Sequence, residues 1–572
     1  MIINQGVTVT ATGAQAYTAT NAKDLVTIGI YGSLIHVGVS AIDLASDNSS
    51  VVIGATGAIQ SLELPTFLTN SIRLSGAFSN VRNNGTIVSS DVGIKIEGTD
   101  NTIFNAGTLS GATALYSTAA NTNITNSGAI YGYVTGVILA GTGGQLHNSG
   151  EISSTRNAIS ASNGSYISNT GTIVSNSNSP FGYSAIEVSG LATIRNDGLI
   201  SSAGYAVHTF GLTGQVNLSN TGHITSSNSL FLTVIDVGFG LIDNSGEIAG
   251  DISFTNNAQS SQITNSGTIL GDVHFSNGGG TFVDIGGKVS GNIFGGAGSD
   301  LFWISDSGIT ISDASGLDFD QVNATVSYTL GGGIEALQLL QNAVVGAGNG
   351  QDNTVSGNAM ANILSGLAGA DVLMGNTGGD SLFGGQDNDQ LFGGDEDDVL
   401  NGGGQDDQLS GDDGNDNLRG GTGNDLLDGV ADDDVLTGGN GNDTLNGGDG
   451  ADILTGGTGR DVMYGGADAD VFVFSKGDST KIAATRDVIS GFVTGVDSVD
   501  LSKFDANVNN ANANDTFAFL GSGIFTAVAG QLHFVISGAN IVLEGDTNGD
   551  SLADFQIQLN GIASIAIGDL VL

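Results

Sequence analysis

An oxygen-bearing side chain recurs every nine positions from Asn353 to Asp470, fourteen times without a slip. The series is Asn353, Asn362, Asp371, Asp380, Asp389, Asp398, Asp407, Asp416, Asp425, Asp434, Asp443, Asp452, Asp461 and Asp470. Two residues after each stands one large apolar side chain: Val355, Leu364, Leu373, then Leu at every step to Leu454, and finally Met463 and Phe472. Glycine opens the units from Gly357 to Gly465, as in GGTGNDLLD and GGDGADILT. Carboxylates and the carbonyls of glycine-rich turns are hard oxygen donors, which suit calcium better than zinc or magnesium. Six residues, G-G-x-G-x-D, make a tight turn in which glycine supplies positive φ and lets carbonyls approach an ion. The other three make a short strand whose middle, apolar member points inward. Two units close one coil, so turns two units apart stack on the same side and form a column of cation sites.

The departures from this pattern carry their own expectations. Asn353 and Asn362 are uncharged, so the first turns bind weakly or serve as a cap. The fourth position of the unit is not glycine at Gln351, Met360, Asp387, Glu396, Gln405, Asp432 and Asp468. Asp tolerates the left-handed region better than Met or Glu, so the best sites are expected around Asp416, Asp425, Asp443, Asp452 and Asp461. One isolated copy, GGAGSDLFW, puts Asp300 at the ligand position. Near the C-terminus DTNGDSLAD offers Asp546, Asn548, Asp550 and Asp554 at calcium-loop spacing, without the glycine, terminal Glu or flanking helices of an EF-hand. A plain hairpin turn accounts for that segment equally well.

A second repeat occupies the first half. The phrase apolar-x-Asn-x-Gly-x-apolar occurs nine times, at Asn83, Asn105, Asn126, Asn148, Asn169, Asn196, Asn220, Asn244 and Asn265, spaced 21 to 27 residues apart. That period indicates one solenoid coil per repeat. Ile, Val, Thr, Ser, Asn and Gly dominate with no 3.6-residue periodicity, which excludes a helical repeat. Asn-x-Gly between apolar runs reads as a turn, because both residues tolerate positive φ. Stacked in register, the asparagines would lie one above another, each amide bonding the next. The expected fold class is all-β: a cap or irregular first coils over 1–80, a parallel β-helix over 81–290, a junction over 291–345, a calcium-stacked parallel β-roll over 346–474 and a C-terminal β-domain over 475–572.

Composition narrows the function. The formal charge is -45 with 13 Lys plus Arg in 572 residues, so nucleic acid and anionic membranes are poor partners and divalent cations good ones. Between Asp371 and Asp470 the acidic residues face only Arg419 and Arg460. The 93 glycines, two prolines and absence of cysteine describe turns and short strands held by backbone ladders and metal rather than disulfides. The first residues show neither the basic nor the apolar region of a cleaved leader. No apolar run approaches the roughly 18 residues that cross a bilayer. Without calcium the charged, glycine-rich array is expected to be disordered, so that calcium binding supplies folding free energy.

The units resemble the RTX nonapeptide repeat of secreted calcium-binding proteins over about 125 residues, and that resemblance implies calcium between stacked turns. DVISGFVTGVDSVDLSKFD (Asp487 to Asp505) and the ending IAIGDLVL resemble the C-terminal region of RTX proteins exported by type I machinery, which implies an uncleaved secretion signal. Serralysin-like proteases of that group carry H-E-x-x-H. None of His36, His147, His208, His223, His274 and His533 pairs at that spacing, and a surface or ladder-edge position is expected for each. A β-helix followed by such repeats is also similar to mannuronan epimerases and polysaccharide lyases, which need carboxylate, His, Tyr and a basic residue on one face. Sparse residues such as Arg156, Glu187 and Arg195 fall on no obvious shared face. The expectation is a non-enzymatic, secreted, calcium-dependent surface-layer or matrix protein. Its partners would be calcium, further copies of itself, a cell-surface polysaccharide and the secretion machinery. The alternatives are a polysaccharide-modifying enzyme and an adhesin, the latter suggested by Thr86, Thr108, Thr172 and Thr268 at one repeat position.

Overall fold

The computed structural model describes all residues except 1, 4–7, 13–14, 20–26, 38–39, 63–69, 178–182, 212–213, 228–231, 257, 314–317 and 510–514. The expectation of a cap over 1–80 falls partly outside the described residues. The chain divides into two compact units, Met1–Asp318 and Phe319–Leu572, a boundary inside the 291–345 junction.

The first unit is a parallel β-helix. One column of strands runs through Ser50–Ile53, Asn80–Asn83, Thr102–Asn105 and Asn123–Asn126, each pairing in parallel with the coil before it. It continues through Gln145–Asn148, Ser165–Asn169, Leu191–Asn196, Gln215–Asn220, Phe239–Asn244 and Ser261–Asn265. After each Asn-x-Gly corner the chain enters a second parallel face, beginning at Thr86, Thr108, Ala129, Glu151, Thr172, Leu199, His223, Glu247 and Thr268. Strand alternation turns every second side chain inward. Val81, Ile103, Ile124, Leu146, Ile167 and Ile194 therefore stack in one buried column and Ile87, Leu109, Ile130, Ile152, Ile173 and Ile200 in another. Parallel stacking already holds between Ser33–Val37, Ala58–Leu62 and Thr86–Ser89, before the asparagine phrase begins.

The asparagines form the expected ladder. Asn83 Nδ2 donates to Asn105 Oδ1 at 2.7 Å, and the same bond recurs at 2.7 to 2.8 Å through Asn126, Asn148, Asn169, Asn196, Asn220 and Asn244 to Asn265. Each is no more than 2% exposed. The role expected of the glycine is corrected. Gly107, Gly128, Gly150 and Gly171 do not have positive φ. A Cβ on Gly171 would instead lie 2.1 Å from the carbonyl oxygen of Gly150, the corresponding glycine one coil earlier. Glycine is required for close stacking of the corner, not for a left-handed turn.

The second unit coils more tightly. Ile363–Ala368, Ser381–Gln386, Val399–Gly404 and Asn417–Thr422 stack eighteen residues apart on one side, and Val372–Thr377, Gln390–Asp395, Gln408–Asp413 and Leu426–Ala431 on the other. Every inward residue of the series from Val355 to Phe472 is buried. Past the nonapeptides, Asp487–Ser490 and Ser498–Lys503 continue the two columns in parallel. An antiparallel hairpin, Gln531–Ser537 with Asn540–Asp546, then packs beside Phe555–Leu559. Phe504, Phe517 and Phe555 cluster against one another, with the Phe504 and Phe555 rings stacked at 4.4 Å. Two expected surface histidines are buried: His36 in its strand, and His533 between Gly523 O and Glu544, 3.0 Å from the Glu544 carboxylate.

Asn169→Ala would strip an acceptor from Asn148 and a donor from Asn196 inside the ladder. The expected loss is about 3 kcal/mol, since each buried polar group left unmade costs about 1–3 kcal/mol. It would be read as a lowered thermal midpoint in saturating calcium; an unchanged midpoint would show the ladder to be ornamental.

Candidate functional site

The turns of the nonapeptide array share one bond. The backbone N–H of each ladder residue donates to the carboxylate Oδ1 of the residue one coil on: Asn353 to Asp371 at 2.7 Å, Asp371 to Asp389 at 2.9 Å, Asp389 to Asp407 at 2.9 Å, Asp407 to Asp425 at 2.9 Å, Asp425 to Asp443 at 2.8 Å and Asp443 to Asp461 at 2.9 Å. The other column runs from Asn362 through Asp380, Asp398, Asp416, Asp434 and Asp452 to Asp470, at 2.6 to 3.1 Å. From Asp371 to Asp470 each side chain is no more than 2% exposed. Each also has a second oxygen, Oδ2, buried without any protein hydrogen bond.

That second oxygen faces the glycine that opens its own turn. A Cβ on Gly366 would meet Asp371 Oδ2 and lie 2.7 Å from the carbonyl oxygen of Gly384. Gly384 faces Asp389 Oδ2 and Gly402 O, Gly393 faces Asp398 Oδ2 and Gly411 O, and Gly438 faces Asp443 Oδ2 and Gly456 O in the same way. Carboxylate and carbonyl oxygens from successive coils thus converge where a side chain is missing. A buried, unbonded carboxylate oxygen costs several kcal/mol unless a cation meets it. An all-oxygen donor set of this kind fits calcium.

Burial pushes the carboxyl pKa of Asp380, Asp389, Asp416 and Asp461 up to about 6, against the single ladder N–H that lowers each. Asp371, Asp398, Asp407, Asp443 and Asp470 are raised to about 7 and Asp434 to about 8, with neighbouring carboxylates adding to the effect of burial. Asp425 and Asp452 are raised from the same cause.

Five of the seven departures at the fourth position keep the left-handed backbone and two do not. Asp387, Glu396, Gln405, Asp432 and Asp468 adopt φ of 68° to 77° where glycine was expected. A further set of departures at the second position carries equal strain: Leu367 (85°), Asn376 (82°), Asp412 (74°) and Val430 (85°). The left-handed region costs a β-branched residue such as Val430 about 1–2 kcal/mol. Gln351 and Met360 do not have positive φ. Their amides donate instead to Asn349 Oδ1 and Asn358 Oδ1, each at 2.9 Å.

Two residues outside the repeat extend the columns. Asp461 N–H donates to Asp487 Oδ1 at 2.9 Å, and Asp470 N–H to Asp497 Oδ1 at 3.3 Å. Asp487 is fully buried with Oδ2 unbonded, and burial raises it to about 8. The phrases D-V-I-S and D-S-V-D keep the ligand-x-apolar-x pattern, which is the signal that the nine-residue count missed. Asp300 is buried and bonded by Gly280 N–H, and burial with Asp313 and Asp318 nearby raises it to about 7. The DTNGDSLAD loop is arranged differently. Asp546 accepts the amides of Asn548, Gly549 and Ser551, and Asp554 accepts both the amide and hydroxyl of Thr547 as well as Asn548 Nδ2. Asp550 is exposed and caps the Leu552 amide. The side chains of these residues thus take up the amides of the hairpin turn in which they stand.

The expectation that solenoid charges share no face is corrected: Asp43 pairs with Arg73 and His223 with Glu247 across neighbouring strands, and a further group is more varied. Glu187, His208 and Asp236 are direct strand neighbours. His208 Nε2 lies 3.8 Å from Asp236, and the His208 ring stacks on Tyr205 at 4.8 Å. The Thr86 column holds Thr108, Ala129, Glu151, Thr172, Leu199, His223, Glu247 and Thr268 in register, so the threonine ladder is interrupted as its sequence requires.

The profile of the RTX calcium-binding nonapeptide repeat matches residues 347–382, 374–409, 410–445 and 446–480. The chain therefore carries a calcium-binding RTX array. No curated protein matches the chain. Among solved structures, the AlgE6R3 subunit from the Azotobacter vinelandii mannuronan C5-epimerase is 24% identical, covering 31% of this chain and 78% of its own, with a TM-score of 0.15. No helix is long and apolar enough to cross a membrane among the described residues.

The raised carboxyls fix the sign of a pH dependence. Their folded values lie above the ordinary 3.8, so the ion-free fold binds more protons than the unfolded chain. Its stability is fullest below about pH 4 and is lost as pH rises through 6 to 8. In chelator, the array is expected to gain β-structure by circular dichroism on going from pH 8 to pH 5. Equal disorder at both would contradict the burial. Gly447→Ala tests the cation position without backbone strain, because Gly447 does not have positive φ while its Cβ would meet Asp452 Oδ2 and Gly465 O. Bound calcium per chain should fall and the calcium midpoint of folding should rise, by equilibrium dialysis and circular dichroism respectively.

Proposed function

We propose that this chain is a secreted structural protein that folds on meeting extracellular calcium and assembles with further copies of itself at the cell surface, as a surface-layer or matrix component. The observation that carries the reading is the column of buried aspartates whose second oxygens lack a protein partner. Where calcium is scarce that column is costly, and the array stays unfolded as a type I export channel requires. Where calcium is plentiful, binding free energy becomes folding free energy. Self-assembly draws support from the outer face of the β-helix, where the well-separated Phe104, Leu241 and Trp303 stand 40 to 48% exposed on strands of one sheet. Such side chains offer lateral contacts, and calcium can bridge acidic neighbours. The reading is non-enzymatic; a cell-surface polysaccharide is the remaining candidate partner.

One observation favours a second reading, an extracellular polysaccharide-modifying enzyme. Glu187, His208, Asp236 and Tyr205 supply carboxylate, imidazole and phenol side by side, and burial raises the Asp236 carboxyl, as suits a general acid. Adding calcium to chelator-treated protein, imaging the product and assaying it on uronate polymers separates the two. Ordered sheets or filaments without polymer breakdown are expected. Monomers that cleave or epimerise uronates, with loss of activity in Asp236→Asn, would replace the structural reading.

A further inference from the structure

Away from the calcium turns, three ligand-bearing side chains meet on the outer face of the first unit. The corner phrase G-D-apolar occurs at Gly250-Asp251-Ile252 and again at Gly271-Asp272-Val273. Parallel pairing sets Ile252 on Val273 and Ser253 on His274, so Asp272 lies one coil on from Asp251. His274 is two residues along from Asp272, which puts both side chains on the same side of the chain. One carboxylate oxygen of Asp251, one of Asp272 and a ring nitrogen of His274 all lie within 4.8 Å of one another.

The three groups are also held. Asp272 N–H donates to Asp251 Oδ1 at 2.8 Å, and Asn292 N–H donates to Asp272 Oδ1 at 2.7 Å. Each carboxylate is thereby oriented by one oxygen, leaving the other available. The His274 ring stacks almost parallel on Phe294, with centroids 4.7 Å apart and planes at 7°, which limits its rotation. Among the described residues no ion pair reaches Asp251 or Asp272, so two carboxylates adjoin without a basic side chain between them. All three residues are partly exposed, so an ion can enter from solvent.

We propose that Asp251, Asp272 and His274 form a binding site for a first-row transition ion of the zinc class, separate in place and chemistry from the calcium array. The imidazole decides the class. All-oxygen sets suit calcium, whereas a nitrogen donor with two carboxylates suits zinc, cobalt, nickel or copper. Metal–ligand bonds of about 2.0–2.2 Å require small side-chain rotations to draw the three atoms together. Three protein ligands leave a coordination position for water or an outside donor.

The test uses the full chain with its array saturated by calcium, titrated with Co2+ as a spectroscopic substitute for zinc. One equivalent is expected to bind with the visible bands of a nitrogen- and carboxylate-ligated ion, and Zn2+ should displace it. His274→Ala and Asp272→Asn should each weaken that binding by about tenfold or more, with the calcium-dependent thermal midpoint unchanged. His208→Ala, at another histidine of the same unit, should leave it intact. Absence of a Co2+ spectrum in the parent chain, or an undiminished one in His274→Ala, would overturn the site whatever the outcome for the calcium turns.

Discussion

A carboxylate can accept hydrogen bonds but cannot give one, and the second half of this molecule is arranged around that asymmetry. Each ladder amide satisfies one oxygen of the aspartate a coil away and leaves the other buried beside glycine carbonyls. No protein hydrogen bond reaches that second oxygen at any coil from Asp371 to Asp470. Only a cation can complete such a column, and the same oxygens that make the metal-free fold costly make the metal-bound fold specific. The tight six-residue turn, the missing side chain at its first glycine and the carboxyl pKa values raised by burial all meet at that one oxygen.

The first half solves the same problem with a different side chain. A carboxamide has both a donor and an acceptor, so the column from Asn83 to Asn265 closes on itself at 2.7 to 2.8 Å. Asparagine and aspartate differ by one group, and that difference decides whether the column completes itself or leaves one oxygen open at every coil. Both columns run beside a file of buried apolar residues and both demand glycine where successive coils touch. Backbone and packing are therefore shared, while the chemistry of the corner differs.

Much of this was legible in the amino-acid order because repeats write geometry directly. The nine-residue count located each buried aspartate of the two columns from Asp371 to Asp470, and the Asn-x-Gly phrase located the amide ladder residue by residue. What stayed hidden depends on neighbours that a count does not see. Asp487 and Asp497 join the columns from 26 and 27 residues away, because longer coils preserve the ligand-x-apolar phrase but not its spacing. Leu367 and Val430 take left-handed backbone because the coils on either side impose it, against their own preference. Glu187, His208 and Asp236 become neighbours only when coils of unequal length are stacked. Asp251 and Asp272 are an ordinary coil apart, and their meeting with His274 shows only in the paired register.

The first two rungs of the array differ from all that follow. Asn353 Nδ2 donates to Ile334 O at 2.9 Å and Asn362 Nδ2 to Ala343 O at 3.0 Å, so each side chain supplies both partners its position needs. Their amides in turn hold Asp371 and Asp380, the first residues that require an ion. The array thus has a starting end. The backbone amide of each asparagine offers the next rung the same donor that every later aspartate offers its successor. The column is therefore polar along its length: two neutral residues close one end on the protein's own carbonyls, and the open carboxylate oxygens begin one coil further on.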